Sequence, residues 1–187
     1  DALITYAPAD GRYVDYNSDG TPDLSFDSDG QITTDFGGND EGHALALQSD
    51  GKIVVAGSTS SGSDFALVRY NSDGGLDNSF DGDGRTTVNL GSNDYGYAMA
   101  LQSDERIVVA GSSGSDFGLA RYHNNGALDT AFATNGKTTT DLGGQDAGNA
   151  VALQSDGKIV SAGKSNGRFA LVRYTSDNST PTPTSTP

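Results

Sequence analysis

The densest run of oxygen ligands in the sequence is Asp15-Tyr-Asn17-Ser-Asp19-Gly20-Thr21-Pro-Asp23. Alternating Asp and Asn side chains place oxygens on one side of a tight loop. Gly20 permits the sharp turn, Thr21 offers a backbone carbonyl and Asp23 a further oxygen, the donor set of a Ca2+ loop. Phe26 stands where an EF-hand has its twelfth-position Glu, so the loop is not an EF-hand. The same turn recurs at Asn71–Gly74 with Arg69 in the first ligand position, where a cation would be repelled. It therefore forms without metal, and a plain Asx-type turn stands beside the Ca2+ reading.

Other reactive groups recur rather than cluster. Asp40, Asp94 and Asp146 precede the first strand of each unit, and Arg69, Arg121 and Arg173 lie near the end of the third. Repetition in every unit predicts an Arg–carboxylate pairing between these two sets, with a ligand-binding ring of Asp as the functional alternative. Asp27-Ser-Asp29-Gly30 and Asp81-Gly-Asp83-Gly84 are acidic turns, but the third copy reads Thr134-Asn135-Gly136, which favours turn geometry over a shared metal role. His43 and His123 are the only histidines, and neither has the spacing of a nucleophile triad or a metal site. No catalysis is expected. His43 aligns with Tyr97 and Asn149; these differing positions, with Tyr95 and Tyr122, are candidates for a sugar-binding face or for simple packing.

The elements that hold these groups follow from a repeat. Ala46–Gly57 matches Ala100–Gly111 and Ala152–Gly163; Asp64–Tyr70 matches Asp116–Tyr122 and Arg168–Tyr174; Leu76–Phe80 matches Leu128–Phe132. The spacing is 52 residues, or 54 across the longer first Gly57–Asp64 loop. Each unit reads as four short strands, in the first copy His43–Gln48, Lys52–Ala56, Phe65–Tyr70 and Arg85–Leu90, broken by Gly and Asp turns. Such a pattern predicts a sandwich, barrel or propeller.

The stretches "ALQSDGKIVVAG" and "DFALVRYNSDG", with Leu76, Phe80, Gly84 and Asp94, resemble the delta-60 repeat of bacterial extracellular proteins, over about residues 12 to 175. The resemblance implies propeller-like blades, no known catalytic activity and no assigned functional residues. The chain departs from the pattern at Asp15, where other copies have Arg, and at Asp104-Glu105-Arg106, which replaces Asp-Gly-Lys. The fold class expected is all-β: about three blades of four antiparallel strands, with the N-terminal strand completing the C-terminal blade or a neighbour's. The domains read as 1–20, an N-terminal strand and partial repeat; 21–175, three repeats; and 176–187, a Thr/Pro-rich tail or linker.

Composition bounds the partners. The 187 residues are only 34% apolar, include 26 Gly and no Cys, and carry a net charge of −14. That charge disfavours nucleic acid and anionic membrane surfaces and leaves cations as natural small partners. It also keeps a Gly-rich protein soluble. No apolar run reaches the roughly 18 residues of a membrane span. The chain starts at Asp1 rather than Met, and is expected to be processed or part of something longer.

The ends shape the functional expectation. Two complete units are flanked by a partial first copy and a last copy that lacks its fourth strand. Three blades are too few for an ordinary ring, which leaves closure as a compact threefold body, completion by other copies, or a longer array. Leu3-Ile4-Thr5-Tyr6 is β-prone, lies outside the repeat and is the candidate strand for donation to a neighbour, or for padding its own sheet. The tail offers Thr180, Thr182, Thr184, Ser185 and Thr186 as O-glycan acceptors, in a composition suited to extended linkers. The expected role is a secreted or cell-surface structural subunit of a fibre or surface assembly, self-associating through strand edges. The alternative is a secreted glycan- or protein-binding module.

Overall fold

The computed structural model describes residues 18–60 and 64–176, together with the backbone of strands at 5–7, 12–14 and 182–183. Fifteen strands and no helix occur among them. The first sheet holds β1 (Thr5–Ala7), β2 (Arg12–Val14) and β3 (Gln31–Ile32). The second holds β4 (Asp40–Leu47), β5 (Ile53–Thr59), β6 (Asp64–Tyr70) and β7 (Arg85–Val88). The third holds β8 (Asp94–Leu101), β9 (Ile107–Ser113), β10 (Asp116–Tyr122) and β11 (Lys137–Thr140). The fourth holds β12 (Asp146–Leu153), β13 (Ile159–Ser165), β14 (Arg168–Tyr174) and β15 (Thr182–Pro183). Every pairing is antiparallel and joins strands adjacent in the chain, the propeller-like arrangement expected from the repeat, but in four sheets, the first of three strands, rather than about three blades, because the N-terminal partial copy forms a sheet of its own.

Sheets stack face to face through residues that alternate along their middle strands. Val54, Ala56, Phe65 and Leu67 of the second sheet meet Ile107, Val109, Ala120 and Tyr122 of the third. On the far face of the third, Val108, Ala110, Phe117 and Leu119 meet Ile159, Val172 and Tyr174 of the fourth. The middle strands are thus apolar on both faces, which explains their near-continuous runs of Val, Ala and Leu.

Glycine makes a bulge possible at one point in each complete sheet. The register slips between Gly42 and Ala44, between Gly96 and Ala98, and between Gly148 and Ala150. A Cβ on the facing Gly57, Gly111 or Gly163 would lie 1.8 Å from the carbonyl oxygen of Glu41, Tyr95 or Ala147. No other residue fits there, because a bulged strand presses its backbone onto its partner.

The N-terminal region corrects two expectations. β1 does not lie outside the repeat: Thr5 pairs with Val14 and Tyr6 with Tyr13, so β1 stands where β5, β9 and β13 stand in their sheets. Nor does an N-terminal strand complete the last sheet. The fourth place there is taken by β15, with Thr182 opposite Arg173 and Pro183 opposite Val172. A strand a few residues along the chain closes the shorter loop and loses less entropy than one from the far end. Leu3 and Ile4 lie outside the described residues.

Candidate functional site

Arg69 and Arg121 are buried cations that clamp one sheet to the next. Arg69 donates through Nε to Asp77 Oδ2 at 2.8 Å, and Nη2 lies 2.8 Å from the same oxygen. Nη1 reaches Asn124 Oδ1 of the third sheet's turn at 2.8 Å, and the guanidinium lies 4.8 Å from the Phe80 ring centroid. Arg121 repeats this: Nε to Asp129 Oδ2 at 2.8 Å, Nη1 to the Ser176 carbonyl of the fourth sheet at 3.0 Å, Phe132 at 4.6 Å. Burial works against ionisation of Asp77, but the Ser79 hydroxyl and amide and the Arg69 charge outweigh it, so its pKa falls below the ordinary 3.8.

The expected partners of these arginines were Asp40, Asp94 and Asp146, and the structure corrects this. Arg69 pairs across the sheet with Val54, whereas Asp40 stands opposite Thr59, itself opposite Asp64 at the other end of β6. Five residues of strand, roughly 16 Å, separate the two groups. The three acids instead fasten the linker that enters each first strand: Asp40 Oδ2 accepts from the Phe36 amide at 2.7 Å, Asp94 from Leu90, and Asp146 from Leu142 at 2.7 Å.

Each of these acids keeps its second oxygen, Oδ1, buried with no hydrogen bond of normal geometry, as does Asp64. At the junction of the third and fourth sheets, Asp116, Asp141 and Asp146 bring one carboxylate oxygen each to within 4.8 Å of one another. At the preceding junction, Asp64, Asn89 and Asp94 hold the equivalent positions. There burial pushes the Asp94 carboxyl up, against donors at Ser113, Leu90 and Ser92, and the Asp64 charge adds to the rise.

The fourth sheet ends the stack with an open face. Phe65, Leu67, Phe117 and Leu119 are fully buried, but their equivalents Phe169 and Leu171 are fully exposed and 49% exposed. Arg173 shares that face and is exposed, and its guanidinium has no hydrogen-bond or ion-pair partner among the described residues. The sequence places Pro181 where the other units have Asp77 and Asp129. At the opposite end, the turn at Ser18–Gly20 is also open. Cβ atoms on Gly74 and Gly126 would lie 2.9 Å from Asp27 and 3.0 Å from Phe80 of the preceding sheet, while one on Gly20 would meet nothing within 4 Å. The exposure of Phe169 was not foreseen, because the sequence of β14 is indistinguishable in type from β6 and β10.

The bulges carry His43, Tyr97 and Asn149, each the residue left out of its ladder. His43 and Tyr97, from neighbouring sheets, have ring centroids 5.4 Å apart; Tyr97 and Tyr95 stack at 6.1 Å with planes 4° apart. Tyr122, by contrast, is buried in the core.

The residues of the Ca2+-type loop are only partly described. Asp15 and Asn17 lie outside the described residues. Asp19 Oδ1 accepts from the Thr21 amide and hydroxyl at 3.0 and 2.7 Å, and Asp23 Oδ1 from those of Ser25 at 2.9 and 2.7 Å. Both carboxylates are occupied by their own turns, which lowers their pKa values. Of the tail residues, Thr182 lies in β15; Thr180, Thr184, Ser185 and Thr186 lie outside the described residues.

Three segments, residues 48–80, 102–132 and 154–180, match the family described as a domain of unknown function (DUF5122) beta-propeller. The match supports a β-propeller repeat without distinguishing the delta-60 class within it. No curated protein matches the chain. Among solved structures, a gluconolactonase from Xanthomonas campestris aligns with a TM-score of 0.55 at 14% identity, covering 94% of this chain and 56% of that one. A protein of unknown function from Bacteroides caccae aligns with a TM-score of 0.54 at 13% identity, covering 93% and 57%. The chain therefore spans a little over half the length of these structures, and at such identity the likeness is one of fold.

Proposed function

We propose that this β-propeller repeat chain is a non-catalytic structural module of an extracellular fibre or surface assembly, of the delta-60 type, that joins copy to copy. The observation that carries this is the exposed Phe169–Leu171–Arg173 face, since its equivalents in the two preceding sheets are buried against a following sheet. The occupant is the first sheet of a second copy. The established junctions define the contact: Arg69 and Arg121 donate to the second residue of the next sheet's turn, and the equivalent residue in the first sheet is Ser18, beside the uncovered Gly20. Charge favours the same pairing. The fourth sheet has Lys158, Lys164, Arg168 and Arg173 against Asp146 and Asp156, whereas residues 18–30 have four Asp and no Lys or Arg.

Joining thus runs through sheet faces rather than the strand edges expected from sequence. A head-to-tail contact of this kind propagates unless its rotation closes a ring. The Thr/Pro-rich tail supports an extracellular setting as a spacer. Sedimentation of the full chain over a concentration series tests the reading. Growth of oligomers with concentration, weakened at least about tenfold by Phe169→Ser with Leu171→Ser, is expected, since each buried apolar side chain contributes about 1.5–3 kcal/mol. A monomer at the highest soluble concentration overturns it.

A second reading, glycan binding, is favoured by the aromatic group His43–Tyr97–Tyr95 on the bulges. Stacked rings offer a platform for sugar faces. Oligosaccharide titration followed by NMR should shift the Tyr95 and Tyr97 ring signals; no shift with any sugar class removes this reading.

A further inference from the structure

We propose that a divalent cation, Ca2+ by the chemistry of its donors, binds between the third and fourth sheets on Asp116, Asp141 and Asp146. This site is separate from the Asp15–Asp23 loop and independent of copy-to-copy assembly. The three acids come from three places: the start of β10, the linker after β11 and the start of β12. Their oxygens converge to within 4.8 Å, which suits a hard cation that takes only oxygen ligands at 2.3–2.6 Å.

An acidic cluster alone would say little on a chain of charge −14. The second observation is Asp146 itself. Its residue is only 3% exposed, Oδ2 is engaged by the Leu142 amide, and Oδ1 is buried with no donor. A carboxylate oxygen taken from water and given nothing is costly, and a buried charge is met by a partner or a metal. No Lys or Arg of the described residues forms an ion pair with these acids. The remaining oxygens are not all consumed locally: Asp141 Oδ1 accepts from Gly143 at 2.6 Å and Asp116 Oδ1 from Ser115 at 3.3 Å.

The repeat supplies an internal comparison. The spacing of 25 and then 5 residues that joins Asp116, Asp141 and Asp146 also joins Asp64, Asn89 and Asp94. Asp64 and Asp94 likewise bury an Oδ1 without a hydrogen bond of normal geometry. The third acid is Asn89 there, so the earlier junction has one charge fewer and is the weaker site.

Calorimetric titration of the EDTA-treated full chain with CaCl2 tests this. One ion per chain is expected, with binding weakened about tenfold or more by Asp141→Asn, which recreates the preceding junction at an exposed position and leaves the fold intact. Asn89→Asp should add a second ion. In thermal unfolding, Ca2+ at a hundred times its dissociation constant should shift the folded-to-unfolded ratio about 100-fold. The proposal is overturned if no heat is seen, if Asp141→Asn binds like the parent, or if binding is lost only on Asp19→Asn, which places the ion in the N-terminal loop.

Discussion

Arg69 donates to Asn124 across two sheets, 2.8 Å from Nη1 to Oδ1, while the same guanidinium holds Asp77 within its own sheet. One side chain thereby joins a strand, the turn that follows it and the next blade. The arrangement is stiff because the guanidinium is planar and its donors lie in a fixed fork.

Arg69→Ala should destabilise the chain by about 3–5 kcal/mol, because it strands Asp77 as a buried charge. Arg173→Ala, on the exposed equivalent, should stay within about 0.5 kcal/mol in the monomer. Urea unfolding of both variants at low protein concentration checks the contrast. Equal effects would show that the clamp contributes nothing beyond its single position.

Tyr122 is buried and its hydroxyl has no partner, whereas the hydroxyls of Tyr70 and Tyr174 meet Thr34 at 2.6 Å and Thr140 at 3.2 Å. The equivalent of those threonines beside Tyr122 is Val88, packed in the same cluster. Val88→Thr, close to isosteric, should restore the bond and raise stability by about 1 kcal/mol. A melting temperature that falls would show that the hydroxyl cannot reach.

The lowered pKa of Asp77 sets a sign for acid behaviour. Its contribution is complete above 3.8, the unfolded value, and is lost as pH falls through the depressed folded value. The stability difference between the parent and Asp77→Asn should therefore be largest near neutral pH and shrink in that acid window. A difference that stays constant down to the lowest pH would contradict the linkage.

The units, their Asn-Ser-Asp-Gly turns and the recurring arginines are all legible in the sequence, because local propensity and repetition fix them. The partners of Arg69 are not. Asp77 and Asp40 are both acids at repeated positions, and only the strand register tells that Asp40 lies at the opposite end of the sheet from Arg69. The first strand begins at Asp40 rather than His43, because a bulge hides the alternation that marks a strand. Phe169 reads as core for a similar reason: its type is set by the repeat and its exposure by what stands next to it. The acid group of Asp116, Asp141 and Asp146 spans 25 and 5 residues and is drawn together only by stacking of sheets.

The spare residue in each first strand has an evolutionary meaning. His43, Tyr97 and Asn149 occupy one structural address, yet none contributes to the ladder that carries the architecture. Duplicating the unit therefore copies a vacancy in the design rules along with the scaffold, and each copy is free to fill it differently.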